Sequence, residues 1–213
     1  MIKIFYVLLI VIFTSHTSLS QTEIVVPDFH DAYSDTLRKL EAGQTDIDYR
    51  AFRESFIQSR QFIIASGKSS EMDKLTKEMY AKMHKSDYPA IIKITKKMLS
   101  IDYTNMMAHK ILRQTYKIVG DSVNAQKYKA IQFGLMNSII KNGDAKTCET
   151  GWPVIQVEEE YFILQMLDAE LVSQSLITTN GLCDKMEVKI NNKNRIIYFE
   201  TSKVFEGYKK LGL

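Results

Sequence analysis

Two similar helix–turn–helix patterns follow one another between Glu71 and about Ile140. Their turns contain Asp87-Tyr88 and Gly120-Asp121, and the two aspartates are 121 − 87 = 34 residues apart. Ile91 and Ala125 each lie four residues after the turn aspartate. A small or aliphatic side chain at this position lets paired helices approach. A single unit of this size cannot bury its apolar face alone, so neighbouring units must stack. The middle of the chain is therefore expected to fold as stacked helix pairs.

The thirty-four-residue period resembles that of tetratricopeptide repeats. The run from Ser86-Asp87-Tyr88 to Asn105 is similar to the second helix of one repeat and its exit, although Tyr103 stands where proline is usual. Two units are fewer than the three such arrays need, so we expect the preceding helices to stack on them as a cap. Those helices are predicted from the apolar spacing between Asp28 and Gly43 and from Asp46 to Ile63.

The composition changes after Lys141-Asn142-Gly143-Asp144 and becomes strand-rich. Pro153 to Val157 reads as a short strand, whereas Glu158 to Asp168 suits either a helix or a continued strand. Three β-like runs follow, at 171–179, 182–190 and 195–200, separated by Asn180-Gly181 and by an asparagine-rich turn. Phe205, Tyr208 and Leu211 predict a short terminal helix. The fold class predicted is α+β, with helical hairpins at 21–145 and an antiparallel meander with a short helix at 146–213, packed as one unit.

The first twenty residues have the pattern of a cleaved export signal. Lys3 supplies a positive charge, Ile4 to Phe13 is an apolar run of ten residues, and Thr14 to Ser20 is polar and mostly small. Ser18 and Ser20 place small side chains before a break at Gln21. An uncleaved anchor is the alternative, but crossing a bilayer as a helix takes about twenty residues. We expect a periplasmic or secreted protein with no transmembrane span after removal of the signal.

The net charge of the exported chain is close to zero and does not by itself indicate a class of partner. Removing Lys3 leaves 27 basic against 25 acidic residues, a balance of 27 − 25 = +2. No clustered basic face is evident, so we expect no nucleic-acid partner.

The two cysteines, Cys148 and Cys183, both lie in the C-terminal third. In an oxidising compartment an even pair often forms a bridge, and two unpaired thiols are the alternative. The sequence leaves this choice open.

No catalytic or cofactor-binding motif is recognisable. The histidines of the exported chain, His30, His84 and His109, are far apart and form no metal-ligand pair, so we expect no metal, no cofactor and no assigned catalytic residue. The densest acidic cluster comprises Glu158, Glu159, Glu160, Asp168 and Glu170. Paired carboxylates at the right separation can hydrolyse glycosides, but an acidic first helical turn explains the same residues.

A polar cluster of Arg53, Glu160 and Asp184 is also expected. Arg53 and Arg113 carry planar guanidinium groups that suit a buried carboxylate such as Asp184. Such a pair would hold the two halves of the chain together, in a structural or a functional role.

Several short motifs along the chain resemble the bacterial domain-of-unknown-function family 4919. They are Asp48-Tyr49, Phe52-Arg53, Glu159-Glu160-Tyr161, Gln174-Ser175-Leu176, Gly181, Cys183-Asp184 and Tyr198-Phe199. The resemblance implies an exported protein of about this length and supplies no activity.

Together these features favour a non-catalytic module of the cell envelope that binds a protein or peptide partner. Stacked helix pairs form a concave face that suits such a partner. The alternatives are an envelope hydrolase using the acidic cluster and a small-molecule site between the helices and the sheet.

Overall fold

The computed structural model describes residues 23–179 and 181–213. The export signal predicted for residues 1–20 lies outside these ranges. No helix in the described part of the chain combines the length and the apolar character needed to cross a bilayer.

Within residues 23–151, seven helices precede the sheet. They are α1 (Ala32–Glu41), α2 (Tyr49–Gln58), α3 (Arg60–Ser66), α4 (Ser69–His84), α5 (Tyr88–Ile101), α6 (Met106–Ile118) and α7 (Ser122–Ile140). The helix predicted to run as far as Ile63 is divided at Ser59, whose backbone is extended. The Ser59 hydroxyl accepts the N–H of Phe62 and so caps α3.

The two central turns repeat in detail. Asp87 and Asp121 cap α5 and α7, each accepting a backbone N–H three residues on. The residues before them, Ser86 and Gly120, both have positive φ, 52° and 82°. The two turns thus share one local chemistry, a left-handed residue followed by a capping carboxylate.

The C-terminal part contains a four-stranded sheet and two helices. Its elements are β1 (Trp152–Pro153), α8 (Val157–Met166), β2 (Glu170–Ile177), β3 (Cys183–Ile190), β4 (Lys193–Glu200) and α9 (Ser202–Lys210). The α+β class is confirmed, and 158–168, which suited either structure, is mainly helix. Asn191 and Asn192, both at positive φ, make the predicted turn between β3 and β4.

The sheet is mixed rather than purely antiparallel. Its strand order is β1-β4-β3-β2, with β2, β3 and β4 forming the predicted meander. The short β1 pairs parallel to β4, Trp152 beside Phe199. The strand predicted at 153–157 is observed only as the two-residue β1, and α8 already begins at Val157.

One hydrophobic cluster joins the helices to the sheet. Tyr33 stacks on Phe52 with ring centroids 5.3 Å apart, and Phe52 meets Tyr103 edge-on. Met186 and Phe199, on the side of the sheet covered by α8 and α9, are completely buried and belong to the same cluster. The shared core holds α8 and α9 between the sheet and helices α1 to α7.

Candidate functional site

A cleft of about 750 Å³ lies between the helices and the α8–α9 pair. Its walls come from α2 to α6 on one side and from the loop before α8, α8 itself and α9 on the other. This volume is within the range of small-molecule and peptide-side-chain pockets.

Most of the cleft surface is apolar and rich in methionine. The methionines are Met72, Met98, Met106 and Met107, and three tyrosines, Tyr80, Tyr161 and Tyr208, border the opening. Each of these tyrosines is roughly two-fifths exposed. Methionine is unbranched and polarisable, so a surface of this kind adapts to differently shaped apolar groups.

The charged residues that line the cleft are all acidic: Asp73, Asp102, Glu158 and Glu159. Lysine, arginine and histidine are absent from its described lining. The chain as a whole is slightly basic. The cleft therefore has a charge opposite in sign to that of the molecule.

Asp102 is held rigidly in the wall of the cleft. Its Oδ1 accepts hydrogen bonds from the Thr104 N–H and hydroxyl, at 2.8 and 2.6 Å, and its Oδ2 accepts one from Gln156 Nε2 at 3.1 Å. Burial raises the pKa of Asp102 to about 6, and the nearby charge of Glu158 adds to this. The hydrogen bonds oppose the shift, since they favour the ionised form.

Glu159 is neutralised by Arg53. Arg53 Nε donates to Oε1 at 2.7 Å, Nη2 donates to Oε2, and both side chains are almost fully buried. Arg53 also donates to the carbonyl of Pro153 at 3.0 Å, and Glu159 accepts the N–H of Ile155 at 2.8 Å. The pair therefore ties α2 to the segment that enters α8.

The structure divides the expected cluster of Arg53, Glu160 and Asp184. Arg53 pairs with Glu159, and Glu160 faces the sheet, because successive helix residues point about 100° apart. The guanidinium of Arg113 instead lies over the ring of Phe133, 5.6 Å from its centroid.

Glu160 is completely buried, and neither of its carboxyl oxygens has a hydrogen-bond partner that satisfies normal geometry in the described chain. Burial raises the pKa of Glu160 to about 9, with a further contribution from Asp184. At neutral pH Glu160 is therefore protonated and has a proton to share with Asp184. Asp184 accepts from Gln174 at 2.6 Å, and Gln174 accepts from the Tyr161 hydroxyl at 2.8 Å.

The remaining predicted residues lie apart from the cleft. Asp168 and Glu170 border a separate shallow depression beside Leu171. Cys148 and Cys183 are joined by a disulfide with Cα atoms 5.7 Å apart, which links the loop before β1 to the start of β3.

His109, on α6, is fully buried. Its Nε2 is 2.8 Å from the carbonyl of Tyr103, and burial lowers its pKa to about 4. Among the residues that the structure describes, no group of three or more potential ligands converges on a metal-sized site.

Asp102, Gln156 and Tyr208 are cleft residues that sequence reasoning did not connect. Asp102 follows α5, Gln156 precedes α8 and Tyr208 lies on α9. No local pattern links three positions so distant in the chain.

Fold and site together define an α+β protein with an acidic, methionine-lined cleft between a helical layer and a sheet-bearing layer. The model of the domain of unknown function DUF4919 matches residues 49–210, and the chain belongs to that family. The match includes every residue named above in the lining of the cleft. No curated protein and no solved structure matches this sequence significantly.

Proposed function

We propose that this protein is a non-catalytic module of the bacterial cell envelope whose cleft binds a peptide segment with apolar side chains and a basic group. The observation that carries the proposal is the charge of the cleft: the charged residues of its described lining are all acidic, and most of the remaining surface is apolar. The envelope location rests on the predicted export signal at residues 1–20.

The apolar surface supplies the affinity in this proposal. Met72 and Met107 are half-buried and face the space between α4 and α6 on one side and α8 and α9 on the other. An apolar side chain entering there would remove methionine and tyrosine surface from water, which is favourable at roughly 25 cal/mol per Å².

The acidic groups supply the selectivity. Glu158 is exposed in the first turn of α8, and its carboxylate has no ion-pair partner in the described chain. A lysine or arginine side chain beside it would also offset the repulsion between Glu158 and Asp102. A peptide with an acidic side chain at that position would be repelled.

Fluorescence anisotropy with matched labelled peptides tests this proposal. The peptides share leucine and phenylalanine and differ only in one lysine, glutamate or serine. The lysine peptide should bind most tightly, and Glu158→Lys should weaken its binding by about fivefold to tenfold.

Glu78→Lys is the matched control, because Glu78 is exposed on α4 and outside the lining of the cleft. It makes the same change in net charge and should leave binding unaltered. Equal binding of all three peptides, or equal effects of the two variants, would contradict the proposal.

An envelope hydrolase is the alternative, and Asp102 beside Glu158 is the observation that favours it. Two neighbouring carboxyl groups can divide acid and base roles. However, both oxygens of Asp102 hold Thr104 and Gln156, and Glu159 is held by Arg53. Turnover of an envelope glycan or peptide that disappears in both Asp102→Asn and Glu158→Gln would establish this alternative.

A further inference from the structure

Strand β2 forms one edge of the sheet. All of its residues except Val172 pair with β3 on one side, and no described strand pairs with the other side. The side chains from Glu170 to Leu176 are all exposed. An edge strand of this length presents a row of backbone N–H and C=O groups that another strand can pair with.

The composition of β2 is unlike that of a protected edge. Proteins usually guard such edges with lysine, proline or a very short strand. β2 has no lysine, arginine or proline, and Val172 and Leu176 are 55% and 48% exposed. The basic side chains of the sheet lie on β3 and β4 instead. An irregularity between Leu171 and Ser173 interrupts the strand near its start, which leaves a regular stretch from Ser173 to Ile177.

We propose that β2 pairs antiparallel with β2 of a second copy of this chain. A two-fold axis at Ser175 places this residue opposite itself, Gln174 opposite Leu176 and Ser173 opposite Ile177. None of these five residues is charged, so the self-pairing brings no like charges together. Glu170, the acidic residue of the strand, lies outside the paired stretch.

The faces of the two sheets also match in this arrangement. Gln174 and Leu176 pair with Met186 and Asp184 of β3 and therefore lie on the side covered by α8, whereas Ser173, Ser175 and Ile177 lie on the other. Antiparallel pairing keeps each face continuous across the axis. The Leu176 side chains would then join one apolar strip with Tyr161 of α8, which is 45% exposed.

The hairpin is fixed in place before it meets a partner. Cys183, opposite Ile177 in the register, is bonded to Cys148 in the loop before β1. This bond restricts movement of the exposed edge, so little conformational entropy is lost on pairing.

Sedimentation velocity of the purified protein over a micromolar concentration series tests the proposal. A dimer should form as the concentration rises. Ser175→Lys and Ser175→Glu should each weaken dimerisation by at least about fivefold, because each places like charges on the axis. An equimolar mixture of these two variants should restore it, since unlike charges then meet.

Asn194→Lys is the matched control. Position 194 lies on β4 opposite Lys189 of β3, just as Ser175 lies on β2 opposite Lys185 of β3, and β4 is on the far side of β3 from the proposed interface. It should fold as Ser175→Lys does and leave the dimer intact. A monomer at every concentration, or a dimer unaffected by Ser175→Lys, would overturn the proposal, whatever the cleft binds.

Discussion

The side chain of Arg53 is 1% exposed, and the Glu159 carboxylate is the counter-ion of its guanidinium. Removing one member of a buried pair leaves an uncompensated charge, which typically costs about 3–5 kcal/mol. Arg53→Met should therefore lower the free energy of unfolding by about that amount, measured by urea denaturation at neutral pH.

Arg50→Met is the matched control one turn away. Arg50 pairs with Glu54 at 3.0 Å, but the two side chains are 54% and 38% exposed. Such a pair contributes about 0.5 kcal/mol or less. If the two variants lose equal stability, the buried pair does not have the structural weight assigned to it.

Glu160 should make stability depend on pH. Its pKa is about 9 in the folded protein against an ordinary value of 4.5, so the folded state binds the extra proton between these values. Stability must then fall as pH rises through that window. Glu160→Gln should reduce this decline, most clearly between pH 7 and 9, in thermal unfolding followed by circular dichroism.

The interval above pH 7 separates the titration of Glu160 from those of two other buried groups. Asp102, with a pKa of about 6, has lost its proton below pH 7, and His109, with a pKa of about 4, remains neutral above it. An unchanged slope between pH 7 and 9 in Glu160→Gln would show that Glu160 is not the titrating group.

At the scale of the elements, α7 packs on α2 through Gly134. A Cβ atom added to this glycine would lie 2.2 Å from the ring of Tyr49, which also donates to the carbonyl of Thr45. Gly134→Ala should therefore lower stability by about 1–3 kcal/mol through crowding, although alanine favours helix more than glycine does. Urea unfolding gives the difference.

Gly67→Ala supplies the comparison, because the nearest atom to its added Cβ is 3.6 Å away. It should be nearly neutral. A double-mutant cycle with Tyr49→Ala should show coupling to Gly134→Ala, and additive effects would contradict the packing argument.

On the scale of the whole molecule, the Cys148–Cys183 disulfide closes a loop with a sequence separation of 35. A crosslink over a loop of this length stabilises by about 3–4 kcal/mol in the chain-entropy treatment. The variant with both cysteines changed to serine should lose about this much stability in urea unfolding. Native protein that gives two titratable thiols would contradict the bond.

Much of the secondary structure could be predicted because its determinants are local. Asp48, Asp87 and Asp121 each accept a backbone N–H three residues on, and Asn191 and Asn192 adopt the positive φ that asparagine tolerates. These interactions need only neighbouring residues. The sequence alone therefore determined the starts of α2, α5 and α7, the turns that these residues make and the α+β class.

The choice of helix at α8 depended on tertiary packing. Helix α8 is buried on two sides. Glu159 faces the preceding helices, and Glu160 faces the sheet. A segment covered on both sides lacks the one-sided periodicity that distinguishes a surface helix from a strand.

The candidate site was likewise decided by the tertiary structure. Arg53 and Glu159 are 106 residues apart, and the cleft combines side chains from α2 to α6 with others from α8 and α9. The sequence supplied its acids, methionines and tyrosines, but their meeting depends on how the helical layer packs on α8 and α9. Contacts between residues so distant form only when the whole core is buried, which no local pattern encodes.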